Sequence, residues 1–369
     1  MSIAIVTGAT GLVGAHAVEQ FHALGLDVVG IDNDMRRSFF PGVASAEPIR
    51  AQLESSLARY RHLDQDIRDE AAMNELFGQY GKDISVVIHA AAQPSHDWAA
   101  ERPLTDFSIN ATGTLLLLES VRQHCPEATF IFCSTNKVYG SQPNELPLVE
   151  LETRWEIDES HPYFPRGVSE EMSIDATKHG LFGVSKAAAD LMVQEYGRYF
   201  GMKTAVFRAG CITGAAHRGA VQHGFLSYLA ECVASGRAYD VIGYGGKQVR
   251  DNIHASDLVR GFIEFFRRPG SGEIYNIGGG RSRSCSVLEA IALFESAFGR
   301  KLDKRYVAQA RSGDHVWWIS DDSKFERTYR DWMQRHSLDD IIAEFVTQRR
   351  SAMSDASCVG RRRTRARAL

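Results

Sequence analysis

Six short runs rich in apolar or β-branched residues, 3–6, 28–31, 85–89, 129–133, 204–208 and 273–277, punctuate the chain together with a more polar one, 60–63. Each is too short for a helix and is bounded by glycine or polar residues, which predicts strands. Between them, apolar residues recur at helical spacing, notably in 15–24, 70–80, 110–124, 183–199 and within 252–267. Strands alternating with helices imply a parallel sheet covered on both faces, an α/β doubly wound fold. From Cys211 the pattern loosens into helices at 224–236, 287–298 and about 338–349, with short strands at 304–307 and inside 311–321. A smaller C-terminal lobe over the strands' carboxyl edge is expected. The expected boundaries are 1–210 for the large domain, with 252–280 returning to it. The lobe takes 211–251 and 281–349, and 350–369, ending in RRRTRARAL, reads as a disordered tail.

The first strand runs into Gly8, Gly11 and Gly14, spaced G-x-x-G-x-x-G, and then into a helix. Strand, glycine turn and helix in that order are what a dinucleotide site requires. The backbone then approaches a pyrophosphate closely, and the helix N-terminus presents unpaired N–H groups to it. The second strand ends in Asp32, eighteen residues after Gly14. A carboxylate there accepts from ribose hydroxyls and repels a 2′-phosphate, so NAD is expected rather than NADP, with Arg36 and Arg37 arguing the other way. A Rossmann-like fold follows. Leu12, Val13 and Asn33 flank these positions. Asp66 and Ile67, in DQDIRD (64–69), stand where such a sheet meets adenine, although this segment also reads as a helix cap. Ala90, Ala91 and Ala92, followed by Gln93, leave room for a cofactor beside the fourth strand.

Bulk properties narrow the functional classes. Of 369 residues, 44% are hydrophobic and 24% charged, ordinary for a globular protein. A formal charge of −4 offers no basis for a nucleic-acid or membrane partner. No leader is expected before a strand that begins at residue 3, and no apolar run reaches membrane-spanning length. The six cysteines are scattered, without a C-x-x-C pair, which fits a reducing cytoplasm and neither disulfides nor metal ligation.

The chain resembles the extended short-chain dehydrogenase/reductases, in particular the NAD-dependent sugar-nucleotide epimerases and dehydratases. The likeness covers roughly residues 1–345. Beyond the glycine turn it rests on HAAA (89–92), NATGTLLLLE (110–119), STNKVYG (134–140), SK (185–186), KQVRDNIHASDL (247–258), YNIGGG (275–280) and RSGDHVWW (311–318). STNKVYG, LETRW (151–155) and GKQVRD (246–251) bring it nearest to the CDP-paratose 2-epimerase (tyvelose epimerase) subfamily. That resemblance implies transient oxidation of a nucleotide sugar by tightly held NAD, with hydride returned to the other face of the keto sugar. In the family a tyrosinate takes the hydroxyl proton, a lysine four residues later lowers its pKa, and a Ser or Thr bonds the same oxygen. By position Thr135 is the hydroxyl and Lys186 the lysine, which also binds cofactor, as does Asn110. Homodimerisation through two long helices, about 110–124 and 183–200, is usual in the family.

The tyrosine slot holds Phe182, which has no proton to exchange. Another group then supplies the base, with His96 and His179 as candidates and Lys137 or Lys186 as further ones. Alternatively the protein binds NAD and sugar nucleotide with little chemistry, or the chain carries a Tyr-to-Phe replacement that traps a complex. Tyr139 is expected to pack, although its hydroxyl could stand in for the missing phenol. The family's 4,6-dehydratases carry Asp-Glu directly after the Thr135 position. Here these are Asn136 and Lys137, which disfavours water elimination. For the substrate pyrophosphate, Arg250 and Arg311 are the expected anchors, since a guanidinium fork suits it. A salt bridge of Arg250 with Asp251 or Asp257 is the competing role. Gln222 and His223 are expected near the sugar or base. An NAD-linked enzyme acting on another polyol is a further possibility.

Overall fold

In the computed structural model, residues 2–39, 45–217, 224–311 and 313–351 are described. Strand β1 (Ile3–Thr7) is buried at every position. Its side chains part by alternation, Ala4 and Val6 into one apolar layer, Ile3 and Ile5 into the other. A strand buried on both faces belongs inside a parallel sheet. Six more strands join it: β2 (Asp27–Ile31), β3 (Tyr60–Leu63), β4 (Ile84–His89), β5 (Thr129–Thr135), β6 (Thr204–Ala209) and β7 (Glu273–Ile277). The order is β7-β6-β5-β4-β1-β2-β3, and every pairing is parallel.

One face is covered by α1 (Leu12–Ala23) and, later in the chain, the helix Ala255–Arg267, through Ala17, Val18, Phe21, Leu258 and Phe262. The other is covered by α2 (Glu70–Tyr80), α3 (Gly113–His124) and α4 (Gly180–Phe200), through Met73, Phe77, Leu117, Val121, Ala189 and Val193. This is a Rossmann-like doubly wound sheet. Strand order reverses between β1 and β4, so the chain leaves their carboxyl ends toward opposite faces of the sheet and opens a crevice.

The rest of the chain gathers over that crevice. The strand Val249–His254 is fully buried. It pairs parallel with Cys211–Thr213, antiparallel with Ser284–Ser286 and parallel with Trp317–Trp318. Helices Phe225–Ser235, Val287–Phe298 and 338–351 close a separate apolar cluster around Leu229, Phe294 and Phe345. Trp317 and Trp318 are both fully buried in a further cluster with Tyr139.

Two stretches differ from the local pattern. The segment after β4 is not a plain loop. It forms helices His96–Glu101 and Pro103–Phe107 and a wide turn of π type, Ser108–Thr112, that feeds α3. The Ser95 hydroxyl caps the first of these, accepting from the Trp98 amide at 3.2 Å, and Pro103 sits in the first turn of the second, where a missing N–H costs nothing. The polar stretch 141–178 holds an antiparallel hairpin, Leu148–Glu150 with Trp155–Ile157. The Arg-rich tail beyond 351, like Gln222 and His223, lies outside the described residues.

Candidate active site

A cavity of about 500 Å³ lies across the carboxyl ends of β1, β2, β4 and β5 and beneath the smaller cluster, within the range of small-molecule sites. At its β1 end Gly8 has φ +68° and lies so close to the Ala90–Ala91 backbone that a Cβ would come within 2.8 Å of the Ala91 nitrogen. Gly11 caps α1 with no side-chain bond, and Gly11, Leu12 and Val13 line the cavity. The first-turn amides of α1 are thus turned to the cavity without a competing side chain.

Asp32 lines the same wall. Its carboxylate is held by the Thr10 hydroxyl at 2.6 Å, the Thr10 amide at 3.0 Å and the Asp34 amide at 2.9 Å. The spacing to Asp32 was legible in the chain, but the role of Thr10 as its clamp was not, because the glycine pattern treats Thr10 as a free position. Asn33, Asp66, Ile67, Ala90, Ala91 and Ala92 also line the cavity, as does Arg36. Asn33 donates to Asp66 at 3.2 Å, and Arg68 grips Asp66 at 2.6 Å and holds its carboxyl below the usual range. The helix cap expected in this segment before Glu70 is Asp69, which accepts from the Ala72 amide.

Three residues read as cofactor contacts are placed off the cavity wall. Gly14 is a packing position, since a Cβ there would fall 1.9 Å from the Gly8 carbonyl oxygen. Gln93 and Asn110 are buried scaffold. The Asn110 carboxamide takes the Gln93 amide at 2.9 Å and donates to Asp106 at 3.0 Å and to Ser185 at 3.0 Å. They lock the segment after β4 onto α4 and so shape the cavity from behind.

At the β5 end the cavity is lined by Thr135, Asn136, Lys137, Phe182 and Lys186. The Lys186 ammonium donates to the Cys133 carbonyl at 3.0 Å and lies 4.1 Å above the Phe132 ring. Burial brings it down to about 8. The Thr135 hydroxyl accepts from the Lys137 amide at 3.3 Å. Phe182 is buried and meets the His96 ring edge-on, with centroids 4.8 Å apart. Burial, with help from Lys137, lowers His96 to about 3, so its imidazole is neutral at physiological pH.

His179 stands just before α4 and is not among the residues lining the cavity. Tyr139 also lies off the cavity. It is fully buried, its hydroxyl donates to Asn276 at 2.8 Å and accepts from Arg208 at 3.0 Å, and burial pushes it up to about 12. It cannot stand in for the missing phenol.

Across the cavity, Arg250 and Arg311 reach the wall from the smaller cluster. The partner of Arg250 is Asp314, not Asp251 or Asp257. Asp251 instead takes the Ser320 amide at 2.9 Å, and Asp257 pairs with Arg260 at 2.6 Å. Asp314 is 64 residues from Arg250, and nothing local in the chain joins the two.

The residues fit a dinucleotide on physical grounds. The first-turn amides of α1 lie at the cavity without a side-chain cap, a carboxylate held by three donors lines the same wall at the end of β2, and close packing admits no side chain at Gly8. The comparisons agree. Residues 4–278 match the model of the NAD dependent epimerase/dehydratase family. The chain is 29% identical over 346 residues to the CDP-paratose 2-epimerase of Salmonella typhi, covering 92% of this chain and 96% of the relative. It is 32% identical over 324 residues to human UDP-glucose 4-epimerase, covering 84% and 86%. Among solved structures, a tyrosine-to-phenylalanine mutant of the Bacillus cereus UDP-glucuronic acid 4-epimerase, in complex with a UDP-fluorosugar and NAD, superposes with TM-score 0.76 at 23% identity, covering 95% and 99%. The Thermus thermophilus UDP-glucose 4-epimerase complex with NAD gives TM-score 0.74 at 23% identity, with the same coverage. These two show the fold. The sheet, the glycine turn and the cavity thus define an NAD-binding protein of the extended short-chain dehydrogenase/reductase class. The chain belongs to the NAD-dependent epimerase/dehydratase family of sugar-nucleotide enzymes.

Proposed function

We propose that this protein is a nucleotide-sugar epimerase that inverts C2 of a CDP-sugar of the paratose/tyvelose type. The observation that carries the reading is the near full-length likeness to a CDP-paratose 2-epimerase, joined to a cavity wall that keeps Thr135 but has Asn136 and Lys137 where an eliminating enzyme needs acids. NAD, held by Gly8, Gly11–Val13, Asp32 and Lys186, would supply reversible two-electron oxidation when bound. The chain's residues do the rest. Arg250 and Arg311 hold the pyrophosphate, Thr135 orients the reacting hydroxyl, and a base other than Phe182 takes its proton.

The test is incubation with CDP-, UDP-, GDP- and dTDP-sugars in D2O, following absorbance at the NADH wavelength and resolving products. Expected is a C2-inverted CDP-sugar without deuterium at carbon. Deuterium at carbon would replace oxidation by enolisation. Phe182 at the cavity wall favours a second reading, a protein that binds NAD and sugar nucleotide without turnover. Complete silence that persists in Phe182→Tyr would support it.

Arg250→Met is expected to weaken nucleotide-sugar binding roughly 10–100-fold, the loss of a charge-assisted hydrogen bond, while NAD content is unchanged. Calorimetric titration with the nucleotide sugar checks this. An unchanged Kd in both Arg250→Met and Arg311→Met would instead favour a polyol without a pyrophosphate.

The protein is read as a cytoplasmic homodimer. Among the described residues no helix is long and apolar enough to cross a membrane. Leu191, Val184, Tyr199 and Phe200 on α4 and Leu115 on α3 are exposed. The two helices are tied by Tyr196 donating to Glu119 at 2.6 Å, so they present one face. Leu191→Glu is expected to halve the mass measured by sedimentation. A native protein that sediments as a monomer would refute the dimer.

A further inference from the structure

We infer that Lys137 is the general base and acid of the reaction, standing in for the tyrosine that Phe182 replaces. This rests on the epimerase reading above and names the group that reading leaves open. The case is geometric first. Lys137 follows Thr135 by two residues at the carboxyl end of β5, and both line the cavity with Phe182. Its backbone packs against α4 directly beside Phe182, since a Cβ on Gly183 would lie 2.9 Å from the Lys137 carbonyl oxygen. The Lys137 ammonium donates to the Gly313 carbonyl at 3.0 Å. Gly313 in turn abuts His96, whose Nδ1 would be 3.0 Å from a Cβ there, and His96 covers the ring of Phe182. Lys137, Gly313, His96 and Phe182 therefore form one continuous wall at the end of the cavity that carries Thr135. The carbonyl of Gly313 takes one N–H and leaves the amine's lone pair for the substrate hydroxyl.

The alternatives fail on chemistry. The His96 imidazole binds a proton too weakly, His179 lies off the cavity, Tyr139 is locked between Asn276 and Arg208, and Lys186 is the lysine that the epimerase reading above gives to NAD. The groups that face Lys137 are Arg250, Asp314, Cys211, His96 and His315. Arg250 and Asp314 are paired, so their opposite effects on Lys137 largely offset one another, and the two histidines are held neutral by burial. Desolvation brings Lys137 down to about 8, where a base works near neutral pH.

The step balances. The hydroxyl O–H and its carbon's C–H bond break, and a carbonyl forms. The proton goes to the Lys137 amine, and NAD, when bound, would accept the carbon-bound hydrogen with its two electrons. Return to the opposite face of the carbonyl takes both back.

The experiment compares the native protein with Lys137→Met, Phe182→Tyr and the double variant. It also follows the pH dependence of labelling at Lys137 by an amine-acylating reagent, read by peptide mass spectrometry. Expected is a half-labelling pH near 8 in the native protein and a 10²–10⁴-fold loss of kcat in Lys137→Met. Nucleotide-sugar Kd and NAD content should be unchanged. In the native protein kcat/KM should rise with pH to a plateau above about 8, since the base must be neutral. Adding Phe182→Tyr to Lys137→Met should restore turnover. Labelling with the reactivity of an ordinary surface lysine, or a Lys137→Met variant of native kcat, overturns the assignment. A native protein that is silent while Phe182→Tyr is active also overturns it and leaves the epimerase site standing. Silence in both overturns the epimerase reading itself.

Discussion

Alanine at Gly8 is expected to leave the purified protein without NAD and to destabilise it by more than about 3 kcal/mol, whereas alanine at Gly11 should cost stability less than about 1 kcal/mol and still impair cofactor binding. The difference is in the backbone. Gly8 sits at φ +68°, a left-handed conformation that penalises a side chain. A Cβ there would also meet the Ala91 nitrogen at 2.8 Å and the Ala90 carbonyl carbon at 2.9 Å. That contact joins the turn after β1 to the end of β4, so relief must move a central strand. Gly11 has φ −75° and ψ 172°, open to any residue, and its Cβ would find only the Gly8 carbonyl oxygen, at 3.2 Å. The added methyl stands at the mouth of α1, where a pyrophosphate approaches, and should weaken NAD roughly tenfold or more. Thermal denaturation and the cofactor content of purified protein separate the two effects. Full NAD retention in Gly11→Ala would show that the pyrophosphate does not rest on this helix end.

Asp190→Ala is expected to cost about 3–5 kcal/mol, because it strands a buried guanidinium. Asp190 and Arg208 meet at 2.8 Å with side chains 0% and 4% exposed. The Asp190 carboxylate also accepts from Ser134 at 2.9 Å and from Gln194 at 2.6 Å. Arg208 reaches on to the Tyr139 hydroxyl at 3.0 Å, with its guanidinium 5.0 Å from the centre of that ring. One network thus binds α4 to β5 and β6 and holds the segment 136–140, which carries Asn136 and Lys137. For a chain of this size the loss corresponds to a Tm drop of about 5 °C. Activity should fall further than stability alone explains, since the loop after β5 loses its anchor. Asp190→Asn keeps the shape and one acceptor and should cost less. A Tm within 1 °C of native in Asp190→Ala would mean that Arg208 finds water or another partner, and that the pair is not structural.

How much of this was legible in the chain follows from the range of the forces involved. The inner strands β1, β2, β4, β5 and β6 showed themselves because burial on both faces demands short apolar runs, and that demand is written residue by residue. The glycine turn and Asp32 were equally plain, since close backbone approach and a carboxylate after β2 are local requirements. The helices between β4 and α3 were missed because Ser95 and Pro103 start them with hardly any apolar periodicity to mark them.

Where side chains meet across the chain, local pattern is silent. The Arg250 partner is Asp314 and not its neighbour Asp251, because the strand's alternation turns adjacent residues to opposite sides. Tyr139 is drawn into the core by Asn276 and Arg208, 137 and 69 residues away. Gly14, Gln93 and Asn110 serve the site by packing behind it. Lys137 acquires its setting from Gly313, 176 residues on. The sequence by itself determined the doubly wound sheet and the glycine-turn end of the cavity, because both are built from short contiguous segments. Only the tertiary structure decided which groups line the cavity at the Lys137 and Arg250 end, because burial and pairing there depend on residues far apart in the chain.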